Sequence, residues 1–473
     1  MKLSKIEITN FRCYESLSVD LQNDVNVFVG VNGAGKTALL DAIAIALFEV
    51  VAANSHGGRI SLWRQRKAQK VALRLSDMHI PPGSSDPVTS RRDFVAVKAG
   101  ATQFYELTGF PVRTPLDKEA LLEWTEHVTY QMPSGFQYEG GKSDRLASVH
   151  GYFREMWQEI KRSDSRALIP VPVVAYYRAN RRLSEMPQLE DVFKEPPGVQ
   201  EVFENALNAG ENYEAMCRWF YVRENAELRE RLQIKNDKTY QFPDLKAARS
   251  ALLRTLEGVK RVFFAENPPS LRVAFDRGGK AEEVFELEQL SDGYRNLLAL
   301  VLDFARRLAL ANPSWENPLD APGILMIDEI DLHLHPVWQQ KIVPSLQAVF
   351  PHTQLIVATH SPYVVTTVES RCVQIIENGK LRSCPAPTYG ARSSDVVGEV
   401  MGLPNLRPPN NPNAQKVSRL FKAIDDGDLA TAHSVRVELA EWAKGFPEPD
   451  LVRADLMIRR LEVKVDGKGV AKS

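Results

Sequence analysis

The chain is poor in cysteine and has no surplus of charge, and each shortage closes a route. Four cysteines in 473 residues, Cys13, Cys217, Cys372 and Cys384, stand far apart with no CxxC pair. That spacing excludes a disulfide framework or a zinc knuckle and implies reduced thiols in a cytosolic compartment. Lysine and arginine number 59 against 60 aspartates and glutamates, a formal charge of -1. A nucleic-acid binder working through its overall field would carry a basic surplus, so only a local basic groove is left open. No apolar run is long enough for a membrane span, because the longest, Ala38 to Ala53, is broken by Asp41 and Glu49. The opening MKLSKIEITNF alternates like a strand and lacks the apolar centre of a secretory leader. No heptad pattern is sustained, which argues against a long coiled coil. A soluble, cytoplasmic protein is expected, and its 44% hydrophobic share is enough for a sizeable core.

Alternation marks three strands before residue 30, ending with Val25–Val29, and a helix is expected from Lys36 to about Val50. The pattern then loosens as far as Glu282. Strand-like pieces (Lys70–Leu75, Phe94–Val97, Val171–Ala175) mix with helical ones (Glu119–Val128, Val199–Leu207, Tyr213–Gln233, Asp244–Phe264). Order returns with a helix from Tyr294 to Ala311, a strand Ile324–Glu329, a helix Pro336–Val349 and a strand Gln354–Thr359. Asn378-Gly379 signals a hairpin. The Pro-rich stretch Leu403–Pro412 reads as a linker, followed by helices over Ala414–Ala423, Leu429–Lys444 and Leu451–Leu461 and a frayed end.

Gly30-Val31-Asn32-Gly33-Ala34-Gly35-Lys36-Thr37 fits GxxxxGK[ST] between an apolar strand and a helix. Glycines let successive N–H groups turn inward onto phosphate oxygens, and the helix N-terminus adds partial positive charge. Lys36 would reach the β- and γ-phosphates, and the Thr37 hydroxyl would ligate Mg²⁺. Far downstream, Gly323–Glu329 is an apolar strand ending in two carboxylates, as suits a central parallel strand. Asp328 would hold Mg²⁺, and Glu329 would orient and deprotonate the attacking water. Ser291 and Gly293 precede an amphipathic helix and form a second anion-binding terminus. His360 ends another sheet-like strand, where its imidazole could sense the γ-phosphate. His333 and His335, two apart near carboxylates, read as a turn leading into Pro336 rather than as metal ligands.

The ordered set GVNGAGKT, LSDGYR, ILMIDEID and ATHS resembles the phosphate loop, signature motif, magnesium strand with D-loop, and switch histidine of ABC-type ATPases. Ile8-Thr9-Asn10-Phe11-Arg12 together with Asn32 is similar to the soluble SMC/Rad50/RecF branch, in which that arginine and asparagine lie near the nucleotide. Asp331-Leu332-His333-Leu334-His335-Pro336 resembles RecF- and OLD-like bacterial ATPases, among them virulence- or defence-associated ATP-binding proteins including the Septu and retron-linked ATPases. The resemblance covers about residues 1–50 and 284–400. It implies an α/β fold: an ABC-type P-loop ATPase head of two lobes around a mostly parallel sheet, with a large mixed insertion and a helical tail. The expected divisions are 1–56, 57–283, 284–390 and 391–473. ATP and Mg²⁺ are the implied cofactors. Ser291 and Gly293 are implied to contact the γ-phosphate held by a second copy, with Asp331 across the seam, in a homodimer or higher oligomer.

Two readings stay open for the insertion's basic residues, Arg59, Arg64, Arg66, Lys67 and Lys70, then Arg178, Arg181 and Arg182 beside Tyr176 and Tyr177: a DNA contact or a solvated face. Gln65, Gln69 and Gln103 compete as the Q-loop glutamine. Asp425-Asp426-Gly427-Asp428 reads as a turn. With no nuclease motif in the tail, intrinsic nuclease activity is not expected, and the apolar positions of the tail helices suit a docking surface. The expected function is an ATPase subunit of an anti-phage system controlling a separate HNH-type nuclease. The alternatives are a RecF- or Rad50-like DNA-repair ATPase and a nucleotide-sensing scaffold with little turnover.

Overall fold

The computed structural model describes residues 1–54, 77–79, 94–102, 122–131, 135–137, 146–162, 169–179, 199–211, 213–233, 237, 239–266, 269–276, 278, 282–403 and 406–470. Two compact units divide the chain, Met1–Val396 and Val397–Ser473.

The first unit is built on a six-stranded sheet. Its strands, in spatial order, are β14 (Lys380–Ser383), β13 (Val373–Glu377), β3 (Val25–Val29), β12 (Thr353–Thr359), β11 (Gly323–Ile327) and β7 (Val173–Tyr177). All neighbours run parallel except the β13–β14 hairpin, which turns at Asn378-Gly379 with both residues at positive φ. β3, β7, β11 and β12 are buried along their whole length, the pattern of parallel strands covered on both faces. Parallel register brings the ends of β3, β12, β11 and β7 to one edge, because Val29 pairs with Thr359, Val357 with Ile327, and Ile327 with Tyr177. Ligands of open α/β sheets bind outside that carboxyl edge.

A second sheet is antiparallel, in the order β2 (Tyr14–Asp20), β1 (Lys2–Phe11), β4 (Phe94–Thr102), β5 (Leu122–Gln131), β6 (Gly135–Gln137). The helix Lys36–Asn54 packs against strands of both sheets. Contrary to the expectation from the sequence, it is by length and composition apolar enough to cross a membrane, yet most of it is buried inside the protein. Burial on every side explains why its sequence is apolar all round. A third sheet holds β10 (Glu283–Glu286), β9 (Pro269–Phe275) and β8 (Val259–Glu266).

Several local expectations are corrected. Glu119–Val128, expected as helix, falls partly outside the described residues, and from Leu122 it is strand β5. Pairing with β4 and a hydrogen bond from the Trp124 indole to Ala46 O at 2.7 Å hold that conformation, so tertiary contacts override local propensity. Asp244–Phe264 is the helix Pro243–Thr255 followed by strand β8; Gly258 at φ +81 makes the turn between them. Val199–Leu207 is two short 3₁₀ turns on either side of Asn205, which sits at φ +47. The helix expected over Pro336–Val349 is broken into Pro336–Gln339 and Ile342–Val349. Pro344 has no N–H to give the Gln340 carbonyl, which forces the break one turn earlier. Segment 57–283, expected as an inserted lobe, shares its strands with both main sheets: β4 to β6 extend the sheet begun by β1, and β7 pairs with β11. Lys70–Leu75 lies outside the described residues.

The second unit contains the helices Pro412–Asp425, Leu429–Ala443 and Pro449–Val470. The end expected to fray is helical as far as Val470. Asn411 caps the first helix by accepting from Asn413 N and Ala414 N at 2.9 and 3.3 Å, with Pro412 at its first position. Asp428 caps the second, accepting from Thr431 N at 3.0 Å, after a turn in which Gly427 takes φ +75. The apolar positions read as a docking surface are instead this unit's own core: Val417, Leu420, Ile424, Val435, Leu439 and Leu451 are buried against one another.

Candidate functional site

The loop 30–37 leaves β3 at the carboxyl edge and turns into the buried helix. Gly33 and Gly35 take φ +79 and +113, a region that side chains with a Cβ rarely adopt. A Cβ on Gly30 would come within 2.5 Å of Ile376 O, and one on Gly35 within 2.6 Å of both Cys13 Sγ and Tyr14 Oη. Tyr14 Oη also donates to Gly35 O at 2.9 Å, pinning the loop from β2. Asn32 and Gly33 are exposed and Ala34 is buried. Lys36 Nζ donates to Gly30 O and Val31 O, 2.9 and 3.1 Å away, so the ammonium bends back over the curl of its own loop.

From the neighbouring strands come the carboxylates and the histidine. Thr37 Oγ1 donates to Asp328 Oδ2 at 2.8 Å, joining residues 291 positions apart. Asp328 is 1% exposed, and Glu329 beside it takes φ +48, a strained turn at the end of β11. Burial lowers the Lys36 ammonium below its ordinary range, opposed by the charges of Asp328, Glu329 and Asp331. Burial likewise lowers the His360 imidazole, helped by Lys36 and opposed by Asp331 and Glu329. The structure therefore brings Lys36, Thr37, Asp328, Glu329, Asp331 and His360 to one sheet edge. A hydroxyl and a carboxylate in contact form a hard-oxygen pair of the kind Mg²⁺ prefers, so these residues fit that ion.

Asp331 is half-exposed and bonded within its own chain. Its Oδ1 accepts from Thr359 Oγ1 at 2.6 Å and from His360 N at 3.3 Å, and so ties the D-loop to the switch strand of the same chain. Gln339 reinforces this by donating to Leu334 O at 2.8 Å and accepting from Ser361 Oγ at 2.6 Å. His335 is a cap, its Nδ1 accepting from Val337 N.

Arg12, at φ +49 in the β1–β2 turn, donates from Nη1 to Asp41 Oδ2 and from Nε to Asp77 Oδ1, at 2.7 and 2.8 Å. Asp41, one turn beyond Thr37 on the same helix face, also takes a hydrogen bond from Tyr176 Oη at 3.3 Å and one from Arg178. Sequence reasoning saw Asp41 only as an interruption in an apolar run. A lone carboxylate four residues after the phosphate-loop threonine was the available signal. Of the basic residues weighed for DNA, Arg178 is paired with Asp41, whereas Arg59, Arg64, Arg66, Lys67, Lys70, Arg181 and Arg182 lie outside the described residues. Gln65, Gln69 and Gln103 lie outside them too.

Ser291 begins the helix Asp292–Ala311, is exposed, and makes no capping bond with its side chain. Gly293 is buried, and a Cβ there would meet His333 O at 2.3 Å. The signature turn thus rests directly on the turn that follows the D-loop, and His333 takes φ +63 to allow it.

Residues 1–78 match the family described as AAA ATPase domain, and residues 173–366 match "AAA domain, putative AbiEii toxin, Type IV TA system". Both stretches match models of AAA-type domains. The two matched stretches hold the phosphate loop and the carboxylate strand that meet at Thr37 and Asp328. The chain is similar to the Retron Ec83 probable ATPase of Escherichia coli, 28% identical over 87% of this chain and 78% of the relative. It is 25% identical to the Retron Vc95 probable ATPase of Vibrio cholerae, over 84% and 78%. A shorter likeness, 38% identical over 22% of this chain and 16% of the relative, is to Septu protein PtuA of Bacillus mycoides. A solved SMC head bound to the C-winged helix domain of ScpA is similar at 17% identity and TM-score 0.44, over 81% of this chain and 97% of that one.

Proposed function

We propose that this chain is the ATP-hydrolysing subunit of a bacterial anti-phage defence system, acting in the cytoplasm. In this reading it engages a second copy of itself through ATP and controls a separate nuclease of the HNH type. The observation that carries the ATPase reading is the Thr37–Asp328 contact with Glu329 at the next position, all beside Lys36. Likeness to two retron ATPases along most of the chain supports the defence setting.

Lys36 would leave its loop carbonyls for the β- and γ-phosphates, which exchanges neutral acceptors for charged ones. Loop N–H groups and the helix N-terminus would hold the remaining phosphate charge. Thr37 and Asp328 would hold Mg²⁺, whose charge when bound would offset that of the phosphate oxygens. Glu329, half-buried at a positive φ, would orient a water and take its proton. His360 would report the γ-phosphate to Asp331 through the backbone bond they share. Arg12 would stand beside the nucleotide, steadied by Asp41 and Asp77.

The exposed Ser291 turn is the part of the machinery that faces outward, and it would complete the site of a second copy. An isologous pair would then contain two equivalent sites. Purified protein with Mg²⁺ and ATP should release phosphate at a rate per chain that rises with protein concentration. A rate per chain independent of concentration down to a dilute monomer would remove the two-copy reading, and no release at all would leave a nucleotide sensor.

A further inference from the structure

β7 joins the two helices of the site. Its last two residues are tyrosines, and successive residues of a strand face opposite sides. Tyr176 Oη donates to Asp41 on the phosphate-loop helix at 3.3 Å. Tyr177 Oη donates to Asp303 Oδ2 on the signature helix at 2.7 Å. The Tyr177 carbonyl accepts from Asp328 N at 2.9 Å, so the same residue also fixes the backbone of the magnesium-site carboxylate.

The far end of this connection is rigid. Arg306 donates to Asp303 Oδ1 at 2.8 and 3.2 Å, and Arg307 donates to Asp303 Oδ2 at 2.9 Å. Arg307 also donates to Glu204 O at 3.1 Å, and neither arginine has any exposed surface. Burial alone would raise the Asp303 carboxyl, but the charges of Arg307 and Arg306 hold it below its usual range, so it stays an acceptor. A buried charge cluster of this kind is weak as a source of stability, since apolar packing of equal volume does as well. What it supplies is fixed geometry between helix Asp292–Ala311 and β7.

The geometry points to Tyr177 as a positioning residue that transmits the state of the signature helix to Asp328, so that engagement of the Ser291 turn and binding of magnesium-nucleotide are coupled through one phenol. This inference rests on the two-copy reading above. Linkage makes the coupling reciprocal: nucleotide strengthens pairing by the same factor as pairing strengthens nucleotide binding.

The test measures affinity for Mg²⁺ with the β,γ-imido analogue of ATP, at protein concentrations well below and well above the self-association midpoint. The intact protein should bind roughly tenfold tighter when concentrated. Tyr177→Phe keeps the ring and removes only the hydroxyl. Its affinity when dilute should stay within about twofold of the intact protein, and its gain on concentration should shrink to under about threefold. Val301→Ala serves as a control, because it loosens the same helix at a fully buried position that is not part of the cluster. The control should lower the thermal midpoint and keep the gain. Preservation of the full gain in Tyr177→Phe, or an equal loss in Val301→Ala, overturns the coupling while leaving the two-copy reading intact. An intact protein with no gain at all removes that reading and the coupling with it.

Discussion

The phosphate loop and the signature turn both stand at the start of a helix, yet they differ in how much of their own chain surrounds them. The first is enclosed: its lysine is folded onto loop carbonyls, its threonine touches Asp328, and Tyr14 pins it from a neighbouring strand. The second has a buried glycine pressed on the His333 carbonyl and an exposed serine whose side chain makes no capping bond. Rigid support beneath an unfilled hydroxyl suits a group meant for a ligand that its own chain does not hold. That contrast is the physical motive for proposing a second copy.

The comparison can be broken at either side. Replacing the loop lysine strikes the enclosed side: Lys36→Ala should weaken ATP binding by more than about a hundredfold, read by titration calorimetry, because it removes the cation bent over the loop. Glu329→Gln should cut turnover by about a hundredfold or more with ATP affinity kept within a few-fold, since a water-orienting base acts on kcat. Phosphate release together with equilibrium binding separates the two effects. Striking the outward side, Ser291→Arg should lower turnover at least about tenfold while dilute protein binds ATP normally; an equal loss of binding would mean that the turn serves its own loop. The smallest effect sharpens the comparison. Gly293→Ala must push the His333 carbonyl away, costing about 1–3 kcal/mol on thermal or urea unfolding, with turnover falling in step.

The ordered motifs were legible because each is a short run whose backbone does the work. Gly33 and Gly35 need positive φ, and the apolar strands need burial on both faces, so pattern alone located them. Strand β5 was misread because its neighbours in the sheet, not its own residues, decide its conformation. The intrachain partners of Asp331 were not legible, because its position in the motif says nothing of where the carboxylate turns. Thr359 and the His360 backbone decide that, and they lie 28 and 29 residues away. Asp41, Tyr176 and Tyr177 were invisible as a set for the same reason: hydrogen bonds across 126 to 135 positions leave no local signature. The tail helices were found, but amphipathic spacing cannot say whether an apolar face meets a partner or its own neighbours. Here it meets its own neighbours.

Mixing two variants tests the two-copy claim most directly. Lys36→Ala keeps the signature turn, and Ser291→Arg keeps the phosphate loop, so each should be nearly inactive alone. In an equimolar mixture half the pairs are mixed and each mixed pair holds one intact composite site, so phosphate release should recover to about a quarter of the intact protein's rate. A mixture no more active than its separate components would contradict the account.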